Sequence, residues 1–299
     1  MLKKIFINLF FILIFIAIAE FIAFSILVFK YREHFYNAYK AGDPVSSLIP
    51  RVRLFHPNLY DKDYRRPLIG NNKTILIFGC SFGFGDGLND NQNFSGKLHE
   101  LTNYSVFNRS EGGIGPQLML YQFESKKVLD LSVECDYIIY VYMFDHLRRN
   151  LMFRCFPFLY KVSVRYMLDK NGDLAFQTCP FLLANSNIYR IYESALPEIY
   201  GERYSLQLLY KLIEQSYKLS KEYYPNSKFI LLNYGNDDEF SQELKVKLES
   251  LGVFVVSVSE LTNKNLFTVE YQISKYDHHP NEKAWDEITP AFIKKFSMI

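Results

Sequence analysis

Serine, histidine and aspartate are the residue types that together can make a hydroxyl nucleophilic, and this 299-residue chain holds them in two clusters far apart in sequence. The first is Ile75-Leu76-Ile77-Phe78-Gly79-Cys80-Ser81-Phe82-Gly83-Phe84-Gly85-Asp86-Gly87, an apolar run passing straight into glycine-rich backbone. A strand ending this way can present a serine at the carboxyl edge of a sheet, where free N–H groups of the turn can face a developing oxyanion. The second cluster is Tyr276-Asp277-His278-His279-Pro280-Asn281-Glu282, in which an acid and a base stand two residues apart. Asp277 can orient His279, and His279 can take the proton of Ser81. A phosphate cradle is the competing reading of the glycine turn, but it lacks the Lys-Ser/Thr of a P-loop and the spacing of a dinucleotide fingerprint. Cys80 is a conceivable nucleophile, although a strand neighbour of Ser81 should point the other way.

Those clusters need a sheet to bring them together. Five short apolar runs, Thr74 to Phe78, Ser105 to Phe107, Tyr137 to Tyr142, Lys228 to Asn233 and Val253 to Val256, suit strands buried on both faces. Helical patterns lie between them at Phe94 to Leu101, Gln117 to Lys127, Leu206 to Tyr223 and Glu239 to Leu251. Alternation of the two predicts an α/β fold, a doubly wound sheet of about five parallel strands spanning residues 73–299. At about 153–180 the period changes to two: Val162, Val164, Tyr166 and Leu168 alternate, Asn171-Gly172 marks a turn, and Leu174 and Phe176 resume, predicting an inserted β-hairpin. Cys155 and Cys179 lie across that insertion as a possible pair.

Gly79-Cys80-Ser81-Phe82-Gly83 also satisfies G-x-S-x-G, the nucleophile elbow of α/β-hydrolases, but there the serine follows several earlier strands. Here it follows the first. With Ser81 early and Asp277-x-His279-Pro280-Asn281 near the C-terminus, residues 73 to 296 resemble the SGNH/GDSL hydrolase superfamily. The first block of that family matches Gly79-Cys80-Ser81-Phe82-Gly83-Phe84-Gly85, and its usual Asp before the serine is replaced by Cys80. The second block, Val106-Phe107-Asn108-Arg109-Ser110-Glu111-Gly112-Gly113, supplies a glycine N–H to the oxyanion hole, with Gly113 the expected donor and Gly112 close behind. The third normally ends a strand with Gly-x-Asn-Asp. Here Tyr142-Met143-Phe144-Asp145-His146 keeps the Asp and has Phe144 where the Asn should be. Either another donor such as His146 or Arg149 substitutes or activity is weak, and Asp145 and His146 are supporting site residues or a structural pair.

What the resemblance implies is a serine esterase or O-acyltransferase acting on acyl, foremost acetyl, esters of a cell-envelope glycan. Ser81 would be the nucleophile, His279 the base and Asp277 its partner, with the N–H groups of Ser81 and Gly113 in the oxyanion hole and no cofactor or metal. Loss of the third-block Asn motivates an alternative, a degenerate domain that binds an envelope glycan or partner. Lipid esterase activity is a further one. Acyl esters are the expected substrates, and oligomeric state is open.

Composition bounds the partners. Lys+Arg number 34 against 32 Asp+Glu, a net charge of +2, so there is no electrostatic footprint for nucleic acid. Four cysteines without CxxC spacing are too few for a disulfide scaffold and argue against structural zinc. Ile5 to Phe29 is an apolar run interrupted only by Asn8, Glu20 and Ser25, about 37 Å long as a helix and able to cross a bilayer with tilt. Ala17-Ile18-Ala19 would fit signal-peptide cleavage, but the apolar run continues well past it. Residues 1–30 therefore read as a single membrane anchor. Residues 31–72, broken by Pro44, Pro50, Pro57 and Pro67, read as a stalk. The short Lys3-Lys4 tail suits an N-inside orientation, which places the domain outside the cytoplasm, periplasmic in a two-membrane cell. A C-terminal alkaline phosphatase fusion should therefore be active; an inactive fusion alongside a working cytoplasmic reporter would reverse this topology.

Overall fold

A computed structural model describes residues 10–23, 25–26, 66–71, 73–126, 134–152, 154–155, 162–180, 186–235, 239–275 and 277–298. Residues 10–23 are helical, with Phe10, Phe11, Phe15 and Phe21 exposed. Among the described residues no helix is long and apolar enough to cross a membrane. Both ends of the expected anchor, 5–9 and 27–29, and the stalk up to residue 65 lie outside the described residues.

The body of the chain is a five-stranded sheet made of β1 (Thr74–Gly79), β2 (Ser105–Asn108), β3 (Tyr137–Tyr142), β7 (Lys228–Asn233) and β8 (Phe254–Ser257). Every pairing is parallel and the order is β2-β1-β3-β7-β8, as expected of a doubly wound fold. Alternate residues explain why both faces need cover. Ile75, Ile77, Tyr137, Ile139, Val141, Ile230 and Leu232 face one apolar cluster, while Leu76, Phe78, Ile138, Tyr140, Tyr142, Phe229 and Leu231 face the other. On the first face lie α1 (Ser81–Phe84), α2 (Phe94–Thr102) and the C-terminal helix α8 (Glu282–Phe296), which contributes Trp285, Ile288, Phe292 and Phe296. On the second lie α3 (Pro116–Ser125), the later part of α5 (Asn187–Tyr223) and α6 (Glu239–Glu249), with the short α4 (His146–Arg149) following β3 and the short α7 (Val258–Thr262) following β8. The α5 run begins well before the expected Leu206, and its two halves meet at Gly201, whose φ of 75° no ordinary helix residue adopts.

Chain order leaves β1 towards β2 on one side and resumes at β3 on the other. That reversal opens a crevice at the carboxyl ends of β1 and β3, the place where open α/β sheets bind ligands. Ahead of β1, Leu68 bridges Val106 and extends the sheet beyond β2.

The insertion is three-stranded rather than a hairpin. β4 (Arg154–Cys155) adds to β5 (Val162–Leu168) and β6 (Leu174–Pro180), all antiparallel. Tyr166 and Met167 anchor it against Leu120, Leu208 and Leu212. The register corrects the cysteine pairing: Cys155 and Cys179 both lie opposite Ser163, on either side of it. Two strand spacings of about 4.8 Å separate them, beyond the reach of a disulfide.

One close contact makes a sign test of this packing. Gly96 sits in α2, where alanine is ordinarily favoured by about 1 kcal/mol. A Cβ there would stand 1.8 Å from the carbonyl oxygen of Asp90. Gly96→Ala should therefore lower stability by about 1–3 kcal/mol in urea unfolding of the full chain. A neutral or raised midpoint would show that the Asp90 loop yields freely.

Candidate active site

Ser81 stands at the first position of α1, directly after β1, and is buried. The turn is tight. A Cβ on Gly79 would meet the Val141 carbonyl oxygen at 2.9 Å, and one on Gly83 would meet Ser110 Oγ at 2.7 Å. Cys80 is fully buried, and that burial pushes its thiol pKa up, so it stays protonated. Of the two neighbours, the serine is the one placed for chemistry.

The fold brings Ser81 to the C-terminal cluster. The Ser81 hydroxyl lies 2.7 Å from His279 Nε2, and His279 Nδ1 lies 2.5 Å from Asp277 Oδ1. Asp277 Oδ1 also accepts from the His279 backbone N–H at 3.1 Å. Burial would raise the Asp277 pKa, but the hydrogen bonds and charge of His279 outweigh it and hold the carboxyl below its ordinary 3.8. The carboxylate is ionised at neutral pH, which assigns the imidazole proton to Nδ1 and leaves Nε2 free to accept from Ser81. Its stabilising contribution is complete above pH 3.8 and is lost as pH falls through the lower folded value.

Local backbone explains why His279 faces inward. The Ile273 N–H donates to the His279 carbonyl at 2.9 Å, and Gln272 bridges Pro280, pinning both sides of the loop. Asn281 caps α8 through Ala284 N–H at 3.1 Å and spans back to the carbonyls of Glu270 and Gln272, each at 2.9 Å. The Phe82 ring lies 5.2 Å from the imidazole and supports its face. His278 turns outward to Gln272. The supports from Gln272 and Ser274, whose hydroxyl accepts from Asp277 N–H, carry no motif and were not readable from sequence, and the Phe82 motif gives no sign of its contact with the imidazole.

The second glycine block adjoins this site. Beyond β2, Arg109 N–H donates to Ile77 O at 2.7 Å and Glu111 N–H to Gly79 O at 3.1 Å, holding the following turn beside the Ser81 turn. Buried Asn108 ties them further, donating to Gly83 O at 2.8 Å and accepting from Ser110 N–H at 3.0 Å. Gly113 is exposed with φ of 76°, a conformation suited to glycine, and its N–H has no partner among the described residues. The Ser81 N–H, at the start of α1, has no carbonyl partner within the helix.

Asp145 and His146 are not part of the Ser81–His279–Asp277 chain. Asp145 bonds Arg148 Nε at 2.8 Å and Arg149 Nε at 2.6 Å. Burial opposes ionisation there, yet the two guanidinium groups overcome it and take its pKa to about 2. His146 does not take the place expected of a substitute donor. His146 is fully buried on the far face of the sheet, bonded to the Tyr140 hydroxyl at 2.8 Å, and burial followed by the Arg149 charge holds its pKa well down. Arg149 pairs with Asp145 through Nε, while its Nη1 is buried without a hydrogen-bond partner and its charge acts on the neighbouring Cys80. Phe144 is 58% exposed and offers no side-chain donor. Among the described residues no His/Cys/Asp/Glu group could hold a metal ion.

No protein-family model matches this chain, and no curated protein is significantly similar. Among solved structures, it is similar to an acetyl xylan esterase, Est2A, from Butyrivibrio proteoclasticus (TM-score 0.47, 13% identity, 78% of this chain and 66% of that one). It is also similar to a lipolytic protein of the G-D-S-L family from Veillonella parvula (0.45, 13%, 76% and 100%) and to the esterase EstA from a Pseudoalteromonas species (0.44, 14%, 76% and 99%). Likenesses at this level carry nothing about activity.

The geometry separates the two histidines. His279→Ala should abolish ester hydrolysis, whereas His278→Ala should keep most of it, measured on variants with unchanged circular dichroism. Activity kept without His279 but lost without His278 would contradict this site.

Proposed function

We propose that this chain is a serine ester hydrolase acting on acyl, foremost acetyl, esters of a cell-envelope glycan. The observation that carries the reading is the continuous hydrogen-bonded chain from Ser81 through His279 to Asp277. Ser81 Oγ attacks the ester carbonyl as its proton passes to His279 Nε2, and Asp277 stabilises the imidazolium that forms. The N–H groups of Ser81 and Gly113 serve the carbonyl oxygen as charge develops. His279 then protonates the departing sugar alkoxide, leaving an acyl-serine. Water, or the hydroxyl of a second sugar in a transferase, gives its proton to His279 and attacks that acyl group, and as the acyl–Oγ bond breaks His279 returns the proton to Ser81 Oγ, restoring the free serine.

Phe144 tempers the expected rate. A missing oxyanion donor costs on the order of 100-fold or more in turnover. The same residue favours the second reading, a glycan-binding domain without turnover. The apolar run at residues 5–29, whose described portion exposes its phenylalanines, supports anchoring to a membrane with the domain outside the cytoplasm.

The full chain should release acetate from 4-nitrophenyl acetate and from O-acetylated oligosaccharides, and Ser81→Ala should lower that rate by about 1,000-fold or more. Equal turnover by both proteins would refute the assignment.

A further inference from the structure

Building on the hydrolase reading, we infer that Arg149 is a positioning residue: it holds a net positive charge behind the Ser81 turn, and the field of that charge does part of what the missing third-block side chain would do for the oxyanion.

The strand register puts the charge there. β1 and β3 are parallel, with Gly79 opposite Val141, so the Ser81 turn and the chain entering α4 leave the sheet at the same edge. At that edge one carboxylate serves two guanidinium groups, Asp145 meeting Arg148 Nε at 2.8 Å and Arg149 Nε at 2.6 Å. Two cations and one anion leave the cluster with a positive charge to spare. Arg148 is half in solvent, whereas the Arg149 side chain is 16% exposed and its Nη1 is buried with no hydrogen-bond partner. The Arg149 charge is felt by Cys80, the residue before Ser81, and by Tyr140 and His146, all three fully buried.

Arg149 is pinned on its backbone as well. Its N–H donates to the Asp145 carbonyl at 2.9 Å, and its own carbonyl accepts from Gln117 Nε2 at 3.1 Å, docking α4 on the first turn of α3. Asn150 extends the clamp: it is fully buried, and its Oδ1 would lie 3.4 Å from a Cβ on Gly115, two residues beyond Gly113. Residues 149 and 150 thus reach the two turns that carry the oxyanion N–H groups, one by charge beside Cys80 and the other by contact.

A buried guanidinium nitrogen without a partner is unfavourable in the resting chain and becomes less so once negative charge develops nearby. Nη1 has no solvent access, so its influence is a field through the turn rather than a contact with substrate. Inside a protein such a field falls off far less than in water. The other charged groups beside these turns do not supply it. Asp86 Oδ2 would lie 3.2 Å from a Cβ on Gly112, and Arg109 and Glu111 carry opposite charges.

Full-length Arg149→Gln, Arg149→Lys and Asp145→Asn chains, each checked by circular dichroism, are compared with the unaltered chain and Ser81→Ala on 4-nitrophenyl acetate. Arg149→Gln should lower kcat and kcat/KM alike, about 30-fold, and leave KM in place, as for an interaction made only in the transition state. The loss should persist in about 1 M NaCl, because a buried charge is poorly screened. Arg149→Lys keeps the charge and should bring turnover to within about fivefold of the unaltered chain. Asp145→Asn keeps an acceptor for both arginines and removes the counter-charge, so kcat should hold or rise by up to about threefold. A purely structural clamp would make all three variants fall together. That result, or unchanged turnover in Arg149→Gln, overturns the inference and leaves the hydrolase reading standing. If Arg149→Gln does not fold, the sign of the Asp145→Asn effect decides. An unaltered chain with no Ser81-dependent turnover would refute the hydrolase reading and this inference with it.

Discussion

Two residues 198 positions apart in the chain must meet within 2.7 Å, and most of the domain can be understood as the means of holding that distance. Ser81 is fixed by β1, a strand with a neighbour on each side. His279 is fixed by the helix that follows it. Trp285 on that helix stacks on Phe94 of α2 at 5.1 Å, and Lys97 of α2 reaches Asp286 at 2.5 Å. The same α2 grows from the segment just after the Ser81 turn. The nucleophile and the base are therefore braced through one helix pair.

Two aspartates show how environment divides labour in this domain. Asp145 is surrounded by two guanidinium groups and is an acid in name only, a fixed counter-charge at the end of β3. Asp277 has an imidazole as its chief partner, so its negative charge is available to a positive charge that comes and goes. Only the second arrangement responds to a proton arriving on His279. His146 marks the opposite extreme. Buried among Tyr140 and Tyr142, it is kept neutral and serves packing.

The central strands were legible because burial on both faces forces unbroken apolar runs, as in Ile138-Ile139-Tyr140-Val141 and Ile230-Leu231-Leu232. Ser81, Asp277 and His279 were legible because glycine crowding and the Pro-Asn that follows the histidine leave local marks. Contacts made only by the fold left none. β4 has two residues and no period to detect, Leu68 pairs with Val106 across the sheet edge, and the face of His279 is covered by Phe82, which reads in sequence as one more aromatic. The separation of Cys155 from Cys179 likewise depends on register, which a one-residue slip would change.

Covalent labelling tests the assembled site most directly. A fluorophosphonate reacts with a serine only when a neighbouring base accepts its proton, so the full chain should gain one adduct, mapped by peptide mass to Ser81. The Asp277→Asn and His279→Ala chains should label far more slowly. Absence of an adduct, an adduct on another serine, or labelling of Ser81 at the same rate without His279 would contradict the account.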